Sequence, residues 1–155
     1  MKARNAVKND SDQVAKVMIE SYNMDSVAEG KKVFISELRK EHHYIVVEDK
    51  GEILGIASWT VHDLPKHELA ELNRIAVLAS SRGKGVAKVL FEGLVKDVKG
   101  SYKNNKSRLR KLYLLTHESN ARARKFYEKL GFSLETTLKN HYYKDENECV
   151  YSIFF

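Results

Sequence analysis

The sequence predicts a mixed α/β fold, a sheet of about seven strands with about four helices on its faces. Short runs of β-branched and aromatic residues recur along the 155 residues and alternate with segments whose apolar residues follow helical spacing. The composition, 43% hydrophobic and 31% charged, is that of a globular protein. One proline, no repeat and no long linker occur, so we expect a single domain over residues 1–155.

The first half of the chain predicts a strand, two helices and a hairpin. Asp10 and Ser11 offer side-chain oxygens that cap a helix, and apolar residues at helical spacing follow them. A turn signal at residues 49–51 separates two strand-like runs, which predicts a hairpin with Trp59 in its core. The predicted segments are the strand 2–7, the helix from residue 11, the helix 31–39, and the hairpin strands 44–48 and 53–61.

The second half of the chain predicts four strands and two helices. An apolar stripe from Ala87 to Val98 marks one buried helix face, and Gly100 is placed to end that helix. Asn120 can cap the last helix, which then ends before Gly131. The predicted strands are 68–77, 112–116, 132–137 and 149–155, the last two joined by a polar loop.

The segment 82–87, between a predicted strand and a predicted helix, has the chemistry of an anion site. The first amides of a helix have no intrahelical partner, and the helix dipole adds partial positive charge there. Glycines let the backbone approach an anion closely, so the segment predicts a pyrophosphate cradle. The alternative is a tight turn whose glycines only permit the chain reversal. A P-loop is excluded because Val86, not Lys, follows Gly85.

Two motifs resemble those of the GNAT superfamily of N-acetyltransferases. Arg-x-x-Gly-x-Ala at residues 82–87, preceded by Ile-Ala-Val at 75–77, resembles its coenzyme A motif. In the stretch 120–132, Asn120 opens a helix and Tyr127 precedes a Leu-Gly-Phe ending, as in its second signature. The resemblance spans nearly the whole chain and is sharp over residues 71–132. It implies a GNAT-like fold whose central parallel strands splay at the cofactor cleft.

The resemblance implies acetyl-CoA as the acetyl donor. Backbone amides of residues 82–87 would hold the pyrophosphate, and backbone groups of residues 75–77 would bond the pantetheine arm as an added strand does. The Val77 N–H would also stabilise the oxyanion that forms during attack. The implied cofactor-binding residues are Ile75, Ala76, Val77, Arg82, Gly83, Lys84, Gly85, Val86, Ala87, Lys88 and Asn120.

The resemblance implies two catalytic residues. Tyr127 matches the tyrosine that protonates the leaving thiolate in many relatives, and the alternative is that it only packs its helix on the sheet. Glu71 lies where the histone-acetylating branch places its catalytic base, and the alternative is a solvated carboxylate at the strand end. The weaker candidates are Glu68, His117 and Glu118.

The acceptor implied by the resemblance is a primary amine, namely a peptide N-terminus, a lysine or a small amine. Residues 138–143 are similar to the segment before the last strand of N-terminal acetyltransferases, where tyrosines line the peptide entrance. Leu115 stands where the bacterial ribosomal-protein N-terminal acetyltransferases carry a Glu. The mechanism of that subgroup therefore does not transfer directly.

Composition limits the other functions. The single cysteine, Cys149, excludes an internal disulfide and a Cys-based zinc site, and we expect it in the core and expect no metal site. No apolar run is long enough to cross a bilayer and no secretory signal is visible, which predicts no membrane partner and a cytoplasmic location. The net charge of +6 favours anionic partners. Two alternatives stay open: a non-catalytic coenzyme A sensor, and a basic nucleic-acid-binding domain that uses residues 99–111. The final strand also offers an edge for a homodimer.

Overall fold

A computed structural model describes all 155 residues and contains seven strands and four α-helices, which confirms the predicted mixed α/β class. None of these helices combines the length and apolarity that crossing a membrane requires. In chain order the elements are β1 (Lys2–Asn5), α1 (Ser11–Ser21), α2 (Val27–Arg39), β2 (His43–Asp49), β3 (Glu52–Val61), β4 (Leu69–Val77), α3 (Val86–Asn104), β5 (Lys111–His117), α4 (Ala121–Lys129), β6 (Ser133–Tyr143) and β7 (Glu146–Phe154).

The strands form one mixed sheet in the order β1-β2-β3-β4-β5-β7-β6. The predicted free edge on the final strand is wrong, because β7 pairs with β5 on one side and β6 on the other, and the edge strands are β1 and β6. β4 and β5 are parallel, whereas β1–β2, β2–β3, β5–β7 and β6–β7 are antiparallel pairs. The parallel register begins with Leu69 opposite Lys111 and stops after Glu71 opposite Tyr113. Partners in register carry their side chains on the same face of a sheet, so Glu71 and Tyr113 are neighbours.

The chain packs as two compact units, and the first consists of residues 1–60 and 74–100. Within it α2 lies close against α1, since a Cβ on Gly30 would be only 3.0 Å from the Cβ of Ala15. α2 begins at Val27, earlier than predicted, because the Ser26 side chain caps it by accepting a hydrogen bond from the Glu29 amide. The core of this unit includes Val14, Val17, Met18, Phe34, Val46 and Ile56.

The second unit consists of residues 61–73 and 101–155. β5 pairs with the first half of β4 on one edge and with β7 on the other. Cys149 is 0% exposed among the buried side chains of this unit, which confirms the predicted core position. Buried residues of this unit include Leu112, Leu114, Phe132, Cys149 and Tyr151.

The predicted end of α3 is wrong. The helix continues through Gly100 to Asn104, so the first part of the expected basic loop at 99–111 is helical. Tyr102, in the added turn, is buried, and its hydroxyl donates a 2.6 Å hydrogen bond to the backbone carbonyl of Leu69. A glycine inside a helix costs about 1 kcal/mol, and the buried tyrosine offsets that cost.

The predicted polar loop before the last strand is also wrong. β6 extends to Tyr143 and β7 begins at Glu146, and these two residues face each other in the register. β6 is exposed along almost its whole length. Its polar composition therefore marks a strand with two solvated faces rather than a loop.

Candidate active site

The loop between β4 and α3 presents an open, glycine-bearing backbone. Gly83 and Gly85 have φ values of +76° and +82°, the left-handed region that side chains rarely adopt. No atom lies within 4 Å of the place where a Cβ would stand at either glycine. Arg82 braces the loop, since its Nε donates a 3.2 Å hydrogen bond to the carbonyl of Val77. A bulky anionic ester can therefore reach these amides from solvent.

Positive charge is concentrated at the start of α3. The helix has 19 residues, so its dipole is fully developed at Val86, the first helical residue. Lys84 is exposed, and the ammonium of Lys88 lies 3.9 Å from Glu92 with its side chain 78% exposed. The sequence prediction of an anion site thus falls on a loop whose amides and cations are accessible.

The Tyr22 hydroxyl forms hydrogen bonds with both backbone groups of Ile75 on β4. The Ile75 N–H donates to the Tyr22 hydroxyl over 3.1 Å, and the same hydroxyl donates to the Ile75 carbonyl over 3.3 Å. Burial raises the pKa of Tyr22 to about 12, so the phenol keeps its proton at neutral pH. Ile75 and Val77 are the residues that the resemblance assigns to the pantetheine arm, and at Ile75 a side chain already takes both backbone groups.

A charged pair holds Tyr22 in place. The Arg74 guanidinium lies 4.8 Å from the centre of the Tyr22 ring and donates a 2.7 Å hydrogen bond to Glu37. The Glu37 carboxylate also accepts a hydrogen bond from Tyr44. Both members of the Arg74–Glu37 pair are largely buried, with side chains 20% and 16% exposed. Such a fully partnered network fixes the geometry of its members.

In the second unit Glu71 is part of a hydrogen-bonded cluster. The hydroxyl of Tyr113 donates to the Glu71 carboxylate over 3.1 Å and lies 2.6 Å from Nδ1 of His62. The His62 and Tyr113 rings also meet edge to face, with centroids 5.5 Å apart. Glu71 is therefore not the solvated carboxylate of the alternative interpretation.

The electrostatic surroundings of this cluster are anionic. Burial and the neighbouring Glu71 carboxylate raise the pKa of Tyr113 above its usual range. The pKa of Tyr142, on the β6–β7 hairpin, is raised by burial and by the charges of Glu71 and Glu148. A region where carboxylates disfavour further negative charge is suited to a cationic amine.

The weaker candidates have partners of their own. His117 pairs through Nδ1 with the buried carboxylate of Glu148, its partner in the β5–β7 register. Glu68 accepts a 2.7 Å hydrogen bond from the Arg108 side chain. The Glu118 carboxylate accepts a 3.4 Å hydrogen bond from Asn147. Each of the three side chains thus has a partner within the second unit, and a catalytic role for any of them stays a prediction.

Asn120 and Tyr127 lie on α4 in the second unit. Asn120 is the N-cap, because its side-chain oxygen accepts a 3.1 Å hydrogen bond from the Ala123 amide. Tyr127 is half-buried among aromatic rings, with its centroid 6.0 Å from Phe132 and 6.3 Å from Tyr151. The contacts of Tyr127 fit the packing role, and its role as an acid stays a prediction.

Sequence reasoning missed several residues of these clusters. Tyr22, Arg74 and His62 carry no local motif, and their partners lie tens of residues away. Tyr113 lies in the predicted strand 112–116, and nothing in that strand indicates its partner. Its pairing with Glu71 follows from the parallel register, and that register has no signal in a single sequence.

Comparisons with known proteins identify one family and a shared fold. The sequence model of the Acetyltransferase (GNAT) family matches residues 11–132. No curated protein sequence matches the chain significantly. The fold is similar to that of an N-acetyltransferase from Staphylococcus aureus Mu50, at 23% identity over 98% of this chain and 96% of that chain, with a TM-score of 0.73.

Two further solved structures share the fold. The ribosomal-protein-S18-alanine N-acetyltransferase from Escherichia coli is 20% identical over 99% of this chain and 92% of its own, with a TM-score of 0.77. An aminoglycoside 6'-N-acetyltransferase complexed with coenzyme A is 19% identical over 99% of this chain and 97% of its own, also with a TM-score of 0.77. The family match spans α1 to the end of α4, including the glycine loop, and the chain belongs to the Acetyltransferase (GNAT) family.

Proposed function

We propose that this chain, acting over residues 1–155 as one functional domain, transfers the acetyl group of acetyl-CoA to a primary amine. The amine attacks the thioester directly while both substrates are bound. The observation that carries the proposal is the loop before α3, where two left-handed glycines leave the amides open and exposed cations surround them. Membership of an acetyltransferase family supports this chemistry.

We assign the coenzyme to residues of both sequence motifs. Amides from Gly83 to Ala87 bind the pyrophosphate, with charge from Arg82, Lys84 and Lys88. Backbone groups of residues 75–77 bind the pantetheine arm, and Asn120 contacts the same arm. The open space at Gly83 and Gly85 fits a phosphate ester at van der Waals distance from the backbone.

Three groups of the chain act on the reacting atoms. Glu71 accepts a proton from the amine, the Val77 N–H donates to the developing oxyanion, and the Tyr127 hydroxyl protonates the leaving thiolate. Arg82 Nε donates a 3.2 Å hydrogen bond to the Val77 carbonyl, which ties the end of β4 to the loop before α3.

The acceptor is a peptide N-terminus or another small amine. Deprotonating a lysine amine at pH 7 costs about 4.6 kcal/mol, against about 1.4 kcal/mol for an α-amino group. The α-amino group therefore needs less help from a base. The solved relatives act on different amines by their names, a ribosomal-protein alanine in one and an aminoglycoside in another. An acceptor panel should contain peptides, polyamines and aminoglycosides.

The experiment combines thiol release with mass spectrometry. Acetyl-CoA and the acceptor panel should give free coenzyme A together with an acceptor that gains about 42 Da, one acetyl group in place of a hydrogen. Tight coenzyme binding without turnover on any amine would instead favour a non-catalytic sensor. If the chain binds nucleic acid with an affinity that falls steeply with salt and survives loss of the glycine loop, the result would favour a nucleic-acid-binding domain.

The acid assignment has its own variant. Replacing Tyr127 by Phe keeps the aromatic packing and removes the hydroxyl. We expect turnover to fall by about a hundredfold with a nearly unchanged Michaelis constant, because the hydroxyl acts on the leaving group. Normal turnover in a folded Tyr127→Phe protein would leave Tyr127 with packing alone.

A further inference from the structure

Three side chains of the second unit form a hydrogen-bonded row that ends in solvent. Glu71 is half-buried, Tyr113 stands 3.1 Å from its carboxylate, and His62 stands 2.6 Å from the Tyr113 oxygen. Glu71 and Tyr113 are register partners on β4 and β5, and His62 directly follows β3 and is exposed. The row therefore leads from a protected carboxylate to water.

The hydrogens of this row have one favourable arrangement while Glu71 is ionised. A carboxylate accepts hydrogen bonds only, so the single phenolic hydrogen of Tyr113 points to Glu71. The Tyr113 oxygen then accepts from His62, and His62 carries its hydrogen on Nδ1. If Glu71 is protonated, the order reverses, and Tyr113 donates to an unprotonated Nδ1.

We infer that Tyr113 and His62 carry the proton of the acceptor amine from Glu71 to water. The inference rests on the proposed function, in which Glu71 removes that proton. A half-buried carboxylate that keeps the proton cannot serve the next turnover. The row supplies the exit, and it adds two residues that no motif assigns to the reaction.

The transfer balances at each group. After Glu71 has taken the amine proton, His62 exchanges with water to the tautomer with hydrogen on Nε2. Glu71 passes its proton to the Tyr113 oxygen, Tyr113 passes its own hydrogen to Nδ1, and Nε2 releases a hydrogen to water. Glu71 is again a carboxylate, Tyr113 a neutral phenol and His62 a neutral imidazole. The net change is one proton moved from the amine to solvent.

The surroundings support a relay rather than ionisation of the phenol. Burial and the Glu71 charge raise the pKa of Tyr113, so it keeps a hydrogen throughout and can only exchange it. Besides Glu71, the titratable group that acts on Tyr113 is Tyr142 on the β6–β7 hairpin.

The first test replaces the exit residue. His62→Ala should lower turnover at least about tenfold with little change in the Michaelis constant, because a positioned proton carrier contributes this much or more. Imidazole in the buffer should restore the turnover of His62→Ala. His67→Ala is the matched control, since His67 is also exposed in the same segment and pairs with Asp63 at 3.1 Å instead. Normal turnover of His62→Ala, or equal loss in both variants, overturns the inference.

The second test breaks the row at its centre and adds a readout that does not depend on turnover. Tyr113→Phe keeps the ring, and we expect imidazole not to rescue it, because the link to Glu71 is missing. Ring-nitrogen NMR shifts of neutral His62 should show hydrogen on Nδ1 in the native protein and lose that preference in Tyr113→Phe. Lack of an Nδ1–H preference in the native protein contradicts the row. Failure of the native protein to acetylate any amine contradicts the proposed function instead.

Discussion

At the scale of single residues, the hydroxyl of Tyr22 satisfies both backbone groups of Ile75, and its ring is fixed by Arg74 and Glu37. If the pantetheine arm bonds Ile75, it meets a strand position that is already engaged. The phenol must then yield its hydrogen bonds during coenzyme binding. Under the proposed coenzyme assignment, Tyr22 limits coenzyme affinity through a competing contact.

Replacing Tyr22 by Phe tests that competition. We expect coenzyme A to bind about fivefold more tightly, since one net hydrogen bond is worth about 1 kcal/mol. Isothermal titration calorimetry measures the affinity, and the melting temperature shows what the buried phenol contributes to stability. Weaker binding by a folded Tyr22→Phe protein would mean that the hydroxyl supports the coenzyme rather than competes with it.

At the scale of elements, a glycine of the loop before α3 has a counterpart in another turn, so the effect of backbone strain can be distinguished from the effect of ligand contact. Gly85 has a φ of +82° and Gly51, in the β2–β3 turn, has a φ of +81°. No atom lies within 4 Å of a Cβ at either place. A side chain should therefore cost both sites about 1 kcal/mol or somewhat more of folding free energy through strain alone.

The variants Gly85→Glu and Gly51→Glu form a matched pair, because the two glycines have nearly the same φ and equally open surroundings. We expect similar losses of melting temperature, whereas only Gly85→Glu should weaken coenzyme A binding by more than tenfold through blockage and charge repulsion. Calorimetric titration of both proteins gives the comparison. Equal coenzyme affinity in the two variants would remove the loop from the coenzyme site.

At the N-cap of α4, variants of Asn120 can distinguish its role as a helix cap from its proposed contact with the coenzyme. Asn120→Asp keeps the oxygen that accepts from the Ala123 amide and suits the helix dipole, so stability should hold. The variant loses the amide donor, and we expect coenzyme affinity to fall about fivefold. Asn120→Ala should cost about 1 kcal/mol of stability as well. If coenzyme affinity is unchanged in Asn120→Asp, Asn120 serves only as a cap.

The elements differ in how far the sequence predicts them. The Asn120 cap and the turn at Gly131, with φ of +100°, are local features that a single sequence carries, and both are confirmed. The predicted end of α3 is wrong because the buried contact of Tyr102 with Leu69 outweighs the local signal of Gly100. The Glu71–Tyr113 neighbourhood depends on pairing between segments about forty residues apart. Cofactor motifs are therefore legible in the sequence, whereas the surroundings of the proposed base are not.

At the scale of the whole molecule, the net charge of +6 makes acid conditions unfavourable, since protonating carboxylates adds to the positive excess. Arg4 ties the first strand to Asp10 by two hydrogen bonds, of 2.8 and 2.9 Å, and to Glu48 by a third. The Arg4 guanidinium holds the pKa of Asp10 below its ordinary value of 3.8. This contact contributes stability while Asp10 is ionised.

The pH dependence of stability follows from the downward shift of the Asp10 pKa. Because the folded-state pKa lies below 3.8, the contribution is present above that pH and is lost as the pH falls through the folded-state pKa. Asp10→Asn should lower the melting temperature at pH 7 and flatten its decline below about pH 4. Asp12→Asn is the control, since its side chain is 68% exposed. An unchanged acid slope in Asp10→Asn would contradict the assignment.

The complete burial of Cys149 has a practical consequence for following catalysis. It is the only sulfhydryl of the chain, and at 0% exposure it is shielded from reagents in the folded protein. If the chain catalyses the proposed reaction, a chromogenic disulfide dye added to the native protein will colour in proportion to released coenzyme A alone. Turnover is therefore measurable continuously and without a cysteine-free variant, and a slow rise of colour without acceptor would report unfolding of the second unit.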